Sequence, residues 1–161
     1  MLVRPYRDSD LAAVAQLFTD AIHGLAGSHY DAVQREAWAP RPPNLGLWKT
    51  RLIPLHILLA QGTEGGNPLG FIGYEESGHI DLLFTSPGAA RRGVASQLYG
   101  HAEAALRSLG AVELFTEASL ASRPFFERQG FVVKEEQSVE RRGAVLRRFA
   151  MAKAFGPGAE D

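Results

Sequence analysis

The chain has 161 residues, 45% hydrophobic and 22% charged, which suits one folded core of ordinary size. Lys and Arg total 17 against 18 Asp and Glu, a net charge of −1, so no general electrostatic attraction to nucleic acid or an anionic membrane exists. Cysteine is absent, which excludes disulfides, thiolate zinc sites and a Cys nucleophile; with no signal-peptide core and no apolar run of bilayer length, a cytoplasmic protein is expected.

Residues 2–4 alternate weakly before Pro5 and predict a short strand, and Asp8 or Ser9 can cap the helix that follows. Leu11, Val14, Leu17, Phe18, Ile22 and Leu25 recur at helical spacing as one apolar face, until Gly24 and Gly27 interrupt it. Asp31 and Gln34 have the capping-box spacing for a short helix through Trp38. A proline-rich loop over 40–44 leads to another short helix with Leu45, Trp48 and Leu52 on one side.

After Pro54 the texture becomes that of strands, predicted over 55–60, 69–75 and 79–85. A Gly-rich turn over 61–68 and a tight turn at Ser77-Gly78 separate them, which implies an antiparallel meander. A helix then begins at about Gly93, with Val94, Leu98, Ala102, Ala105 and Leu109 as its buried stripe and Gly110 at its end. A strand over 111–117 follows, then a short helix over 122–129 with Pro124 in its first turn and Gly130 past its end. Strands over 131–136 and 145–153 flank a turn at Arg142-Gly143. Residues 1–155 read as one domain and 156–161 as a disordered tail.

The most informative segment is Gly88-Ala-Ala-Arg-Arg-Gly-Val-Ala-Ser96, which a strand enters and a long helix leaves. A helix N-terminus carries unpaired N–H groups and the positive end of the dipole, a combination that binds phosphate without a metal. Gly93 permits close backbone approach, Ala95 and Ser96 keep the next turn small, and Arg91 and Arg92 add charge. A surface loop with two solvated arginines is the alternative. Neither G-x-x-x-x-G-K-[S/T] nor G-x-G-x-x-G occurs, so the loop is not a Walker or dinucleotide motif.

Leu82-Leu-Phe-Thr-Ser-Pro87 followed by Arg-Arg-Gly-Val-Ala95 resembles the central motif of the GNAT acetyltransferases, Q/R-x-x-G-x-G/A at a helix start. Gly93 and Ala95 match its two small positions, while Ala90 stands where the family usually has Gln or Arg. The resemblance extends in order along the chain. Residues 2–11 resemble the family's opening strand and helix, Leu69-Gly-Phe-Ile-Gly73 its third strand, Ser122-Arg-Pro-Phe-Phe-Glu-Arg-Gln-Gly-Phe131 its A-x-x-L-Y-E-x-x-G-F signature, and Phe149-Ala-Met-Ala-Lys153 its closing strand. It looks most like a bacterial branch of that family. The resemblance implies an α/β GNAT fold, a mixed and mostly antiparallel sheet with helices on both faces, and acetyl-CoA as co-substrate.

By the same resemblance, residues 91–96 (Arg91, Arg92, Gly93, Val94, Ala95, Ser96) would hold the pyrophosphate of the co-substrate, and the backbone of Leu83, Phe84 and Thr85 the acyl-pantetheine arm. Thr85 N–H could also polarise the thioester carbonyl; plain core packing is the other role open to Leu83 and Phe84. Ser119 stands where the family often has Asn on that arm, or is a turn residue, and Phe126 where it often has the Tyr that protonates the leaving thiolate. Water, Tyr30, Tyr74 or Tyr99 would then act as the acid, or the thiolate would leave unassisted.

Alternation along 79–85 places His79, Asp81, Leu83 and Thr85 on one face and Ile80, Leu82 and Phe84 on a core face. Asp81 and His79 are the candidate bases, Asp81 also as an amine anchor, with a solvated strand face as the alternative for both. Residues 23–52 should cover the acceptor, with Tyr30 and Trp38 enclosing it or packing in the core. Without cysteine, direct transfer in a ternary complex is expected over a Cys-linked acyl-enzyme. His23 and His29 have no metal-ligand spacing to a carboxylate, so no metal is expected. The expected acceptor is an amine of a small molecule or peptide, with no nucleic-acid or membrane partner. Competing readings are a non-catalytic acyl-CoA-binding module, suggested by Phe126 and Ala90, and an association domain whose C-terminal strands pair across a homodimer.

Overall fold

The structure is a computed structural model that describes residues 1–25, 29–62 and 65–155. Strand β1 (Leu2–Pro5) leads through a 3-10 turn (Asp8–Asp10) into helix α1 (Leu11–Leu25). Arg4 grips both oxygens of Asp10 at 2.9 Å and Arg7 N–H adds a bond at 2.8 Å, which fixes the entry angle and holds the Asp10 carboxyl below its ordinary pKa. Val14, Leu17, Phe18 and Ile22 are buried as their spacing predicts. The Leu25 side chain and Gly27 lie outside the described residues.

Helix α2 (Ala32–Trp38) has its capping box: Gln34 N–H donates to Asp31 at 2.7 Å and Asp31 N–H to the Gln34 amide at 2.9 Å. Helix α3 (Leu45–Leu52) is capped by Asn44, with Trp48 and Leu52 buried. Leu45, expected on the same side, is exposed instead.

Strands β2 (His56–Gly62), β3 (Gly65–Tyr74) and β4 (His79–Thr85) form the expected meander. The turn expected over 61–68 is shorter: Gly62 pairs with Gly65, and a register shift between Ala60 and Gly62 accommodates Pro68 inside β3. Helix α4 (Val94–Ser108) buries Val94, Leu98, Tyr99, Ala102 and Leu106, whereas Leu109 is exposed because the helix ends one residue before it. Strand β5 (Glu113–Ser119), helix α5 (Arg123–Arg128), and strands β6 (Val132–Arg141) and β7 (Ala144–Ala154) complete the order. The last hairpin is longer than its sequence pattern suggests, and its turn has positive φ at Arg142 (47°) and Gly143 (84°), the two-residue geometry that suits twisted strands. The tail expected over 156–161 lies outside the described residues.

The sheet runs β1-β2-β3-β4-β5-β7-β6, antiparallel except for the β4–β5 pair, with β6 at an outer edge. One face packs Val14, Phe18, Trp48, Leu59, Phe71 and Leu82 under α1 and α3; the other packs Ile72, Ile80, Leu98, Leu106, Leu114 and Phe126 around α4 and α5. This is the mixed architecture expected, with helices on both faces. Helix α4 approaches β3 at Gly70, where an added Cβ would lie 2.8 Å from Val94 Cγ1 and 2.9 Å from the Phe84 carbonyl oxygen. Gly70→Ala should therefore destabilise the fold by about 1–3 kcal/mol, read as a lower urea midpoint; an unchanged midpoint would mean that α4 does not bear on β3 there.

Candidate active site

Strand β4 does not alternate cleanly. Gly73 pairs with Leu82 and Tyr74 with Ile80, so Asp81 is an extra residue in a bulge. The expected apolar face is therefore split: Ile80 joins the α4 side of the sheet, while Leu82 and Phe84 join the α1 side. Leu83 likewise turns to the α4 core, away from His79 and Asp81. Asp81 is left on the α3 side, 3.9 Å from Arg51 Nε.

Strands β4 and β5 stay together for only two positions, His79↔Phe115 and Ile80↔Thr116. Beyond them they diverge. The buried Thr116 hydroxyl donates to the Ile80 carbonyl at 2.7 Å, at the last paired position. Ser86 N–H donates to Leu69 O at 2.9 Å, and antiparallel alternation then directs the backbone of Phe84 and Leu82 to β3 and that of Leu83 and Thr85 into the gap. Of the three residues expected to present backbone to an acyl arm, Phe84 is thus corrected: its polar groups are engaged with Phe71, and its ring packs edge-on to Phe18 at 4.8 Å.

Next to the gap, Arg91 (φ 63°) and Gly93 (φ 78°) are both left-handed, and Gly93 is the N-cap of α4. Successive N–H groups in such a turn form a concavity for anions. A Cβ at Gly93 would meet nothing within 4 Å, so the approach is open. Arg91, Arg92 and Ser96 are exposed and Ala95 half-buried. Val94 offers only its backbone, since its side chain is buried against Gly70. Ser96, Gln97, Gly100 and His101 continue the concavity along α4; the last three are missed by motif reading because they follow the motif on the helix's outer face.

On the α1 side the gap opens into a cleft of about 630 Å³. Tyr30, Trp38, Phe84, Leu83, Asp81, Ser119 and Phe126 all line it, so folding gathers these sequence-chosen residues in one place. Tyr30 is buried edge-on to Trp38 at 5.2 Å, and its Oη accepts Leu120 N–H at 2.9 Å. Burial raises the Tyr30 pKa and keeps the phenol protonated. Ser119 and Ser122 exchange bonds: Ser119 N–H donates to Ser122 Oγ at 3.0 Å, and Ser122 N–H to Ser119 Oγ at 3.1 Å. Phe126 is buried among Phe125 and Phe131. Tyr74 stacks on His56, and Tyr99 donates to Glu103 at 2.6 Å; neither lines the cleft.

His79 does not line the cleft either. Its ring stacks on Phe115 at 4.9 Å, and its two nitrogens bond Glu75 at 2.8 Å and Glu117 at 2.7 Å. The Glu117 bond, aided by Glu75 and opposed by burial, lifts its pKa from 6.5 to about 9. A proton is therefore already present at neutral pH, and the expectation of His79 as a base is corrected. Glu117, which does line the cleft, is held below the ordinary carboxylate range by the same bond. Among the described residues no three His, Asp or Glu are arranged to hold a metal ion.

Residues 48–154 match the family described as Acetyltransferase (GNAT) domain. The chain belongs to the GNAT acetyltransferase family. It is 36% identical over 151 residues to the N-acetyltransferase YafP of Escherichia coli (strain K12), covering 92% of this chain and 93% of that protein. A GCN5-related N-acetyltransferase from Rhodopseudomonas palustris superposes with a TM-score of 0.89 at 31% identity, covering 95% of this chain and 94% of that one. The fold also matches PaiA N-acetyltransferase from Thermoplasma acidophilum in complex with coenzyme A (TM-score 0.71, 15% identity, 96% and 99% coverage). Family, fold and enzyme class are thus as the motifs imply, and acetyl-CoA is the co-substrate of GNAT enzymes. In this GNAT chain no described helix is long and apolar enough to cross a membrane.

Sequence reading missed Arg51, Glu117, Ser122 and the arginines of the β6–β7 hairpin, all of which line the cleft. The paired arginines at 141–142 and 147–148 were a visible signal. The ion-pair cluster predicts a defined pH response. A raised His79 pKa stabilises the fold fully below 6.5 and loses that contribution as pH rises through about 9, while the depressed Glu117 contributes above its ordinary range and loses it on acidification. His79 resonances should titrate near pH 9 by NMR, and near the ordinary value in Glu117→Gln; a wild-type midpoint near 6.5 would show that the cluster does not form.

Proposed function

We propose that this chain transfers the acetyl group of acetyl-CoA to a primary amine of a small molecule or peptide, by direct attack with both substrates bound. The observation that carries this reading is the open edge of β4 beside the left-handed loop at the start of α4. Leu83 and Thr85 supply backbone donors and acceptors for an extended amide-bearing arm. Residues 91–96 supply N–H groups and the charges of Arg91 and Arg92 for its pyrophosphate. Acetyl-CoA brings the thioester that is cleaved.

Asp81 is the group best placed to take the proton from the incoming ammonium. It lines the cleft and, among the described residues, is bound to no hydrogen-bond donor, its nearest cation being Arg51 at 3.9 Å. Glu117 is held by His79 and serves the field of the site, not proton abstraction. Thr85 N–H polarises the thioester carbonyl. Tyr30 takes over as the acid for the leaving thiolate, since Phe126 has no proton to give and Tyr30 is the tyrosine of the three candidates that lines the cleft. Ser119 and Ser122 hold the end of the arm, and Trp38 walls the acceptor side.

Acetyl-CoA at about 100 times its Kd should raise stability by about 2.7 kcal/mol in a thermal shift, with no response to ATP or NAD. Gly93→Asp should abolish that shift through bulk and repulsion of phosphate; normal affinity in this variant would remove the loop from the site. Asp81→Asn should lower kcat about 10²- to 10⁴-fold with acetyl-CoA affinity kept, measured as thiol release. Selective acetyl-CoA binding with no thiol release for any amine would instead favour the non-catalytic binding module.

A further inference from the structure

The cleft is charged in a way the chain as a whole is not. Five arginines, Arg51, Arg141, Arg142, Arg147 and Arg148, line it with two carboxylates, Asp81 and Glu117, a local charge of +3 in a chain of net charge −1. Three of the arginines have work in the fold. Arg142 donates to the Ala37 carbonyl at 2.6 Å and ties the hairpin to α2, Arg147 is paired with Glu136, and Arg148 donates to Gln137 at 2.8 Å.

Arg51 and Arg141 differ from these. The Arg51 guanidinium lies over the Trp48 ring at 5.3 Å and the Phe18 ring at 6.0 Å, and its only carboxylate neighbour among the described residues, Asp81, is at 3.9 Å, beyond hydrogen-bond reach. Among the described residues Arg141 donates only to the adjacent Glu140 carbonyl, at 3.2 Å. Burial lowers the Arg51 pKa, Asp81 opposes this, and the Arg141 charge acts in the same direction as burial. Two guanidiniums from different walls, α3 and β6, thus line one cavity and act on each other through their charge. None of residues 91–96 lines this cavity, so its charge is separate from the loop assigned to the pyrophosphate.

We propose that the acceptor is a small zwitterion, an amine with a carboxylate or phosphonate on the adjacent or next-but-one carbon, its oxyanion bound by Arg51 and Arg141 and its amine by Asp81. This rests on the acetyl-transfer reading above and names the substrate class of that site. The spacing sets the size: Asp81 and Arg51 are 3.9 Å apart, so an amine on one and an oxyanion on the other belong to near-neighbour atoms of one molecule. Guanidinium is the group best matched to a planar carboxylate or a phosphorus oxyanion. A cleft of charge +3 repels polyamines and other polycations and concentrates zwitterions and anions at its mouth. Arg51, within cation-π range of two aromatic rings, is held in place for this role.

The test uses protein saturated with acetyl-CoA and measures thiol release with matched probes. Glycine, β-alanine and L-alanine carry the carboxylate, aminomethylphosphonate and 2-aminoethylphosphonate the phosphorus oxyanion, and glycinamide, ethanolamine and putrescine neither. At least one oxyanion probe should exceed every probe lacking it by tenfold or more in kcat/KM, and whether it comes from the carboxylate or phosphonate set identifies the oxyanion. Arg141→Gln, on an exposed hairpin, should raise KM for that probe at least tenfold while leaving acetyl-CoA affinity unchanged, and Arg51→Lys should do the same. Equal use of glycinamide or putrescine, no turnover of any oxyanion probe by protein that binds acetyl-CoA, or an unchanged acceptor KM in both variants would overturn the proposal. Failure to bind acetyl-CoA at all would instead bring down the acetyl-transfer reading, and this proposal with it.

Discussion

The divergence of β4 from β5 is the constraint on which the rest of the site depends. Two parallel strands side by side would normally pair along their full length, because each unpaired backbone group removed from water costs free energy. Here pairing stops after Ile80↔Thr116. The Asp81 bulge bends β4 on one side of that point, and the Thr116 hydroxyl occupies the Ile80 carbonyl on the other. Past it, Leu83 and Thr85 direct polar backbone into a gap where a ligand amide or water can satisfy it.

The two faces of the sheet divide the work. On the α4 face, Gly70 lets the start of the helix sit close to β3, which fixes the turn at residues 91–93 relative to the open edge of β4. The turn itself stores its geometry in left-handed Arg91 and Gly93. On the α1 face the walls come from three separate places in the chain: the aromatic lid of Tyr30 and Trp38, helix α3 with Arg51, and the β6–β7 hairpin. Hydrogen bonds across these parts, from Arg142 to Ala37 and from Gln34 to Val145, hold hairpin and α2 together over the cleft.

Electrostatics then separate residues of similar type into different surroundings. Asp81 and Glu117 both face the cleft, yet Glu117 is neutralised by an imidazolium at 2.7 Å while Asp81 faces a guanidinium at 3.9 Å. The first contact is a charge-assisted hydrogen bond that holds the proton on His79; the second leaves the carboxylate available. The same sorting applies to tyrosines: Tyr99 is committed to Glu103 in the core, whereas Tyr30 is anchored by a backbone donor at the cleft wall.

The elements, their order and the tight turn before α4 were legible in the chain because each depends on neighbours in sequence: helical spacing in α1, the Asp31–Gln34 box, the turn at Arg142-Gly143, and small residues at the start of α4. Strict alternation along β4 failed at Asp81, since a bulge is decided by how two strands fit and not by the residues of one. His79 looked like a base in sequence because its pKa depends on Glu117, which is 38 residues away. The charge of the cleft was hidden for the same reason. Arg51 and Arg141 come from distant segments of a nearly neutral chain, and only tertiary packing brings them to the walls of the cavity that Asp81 also lines. Local sequence determined the fold's parts and the left-handed turn at the start of α4; long-range packing decided which side chains share a field, because Coulomb and hydrogen-bond energies depend on distance in space.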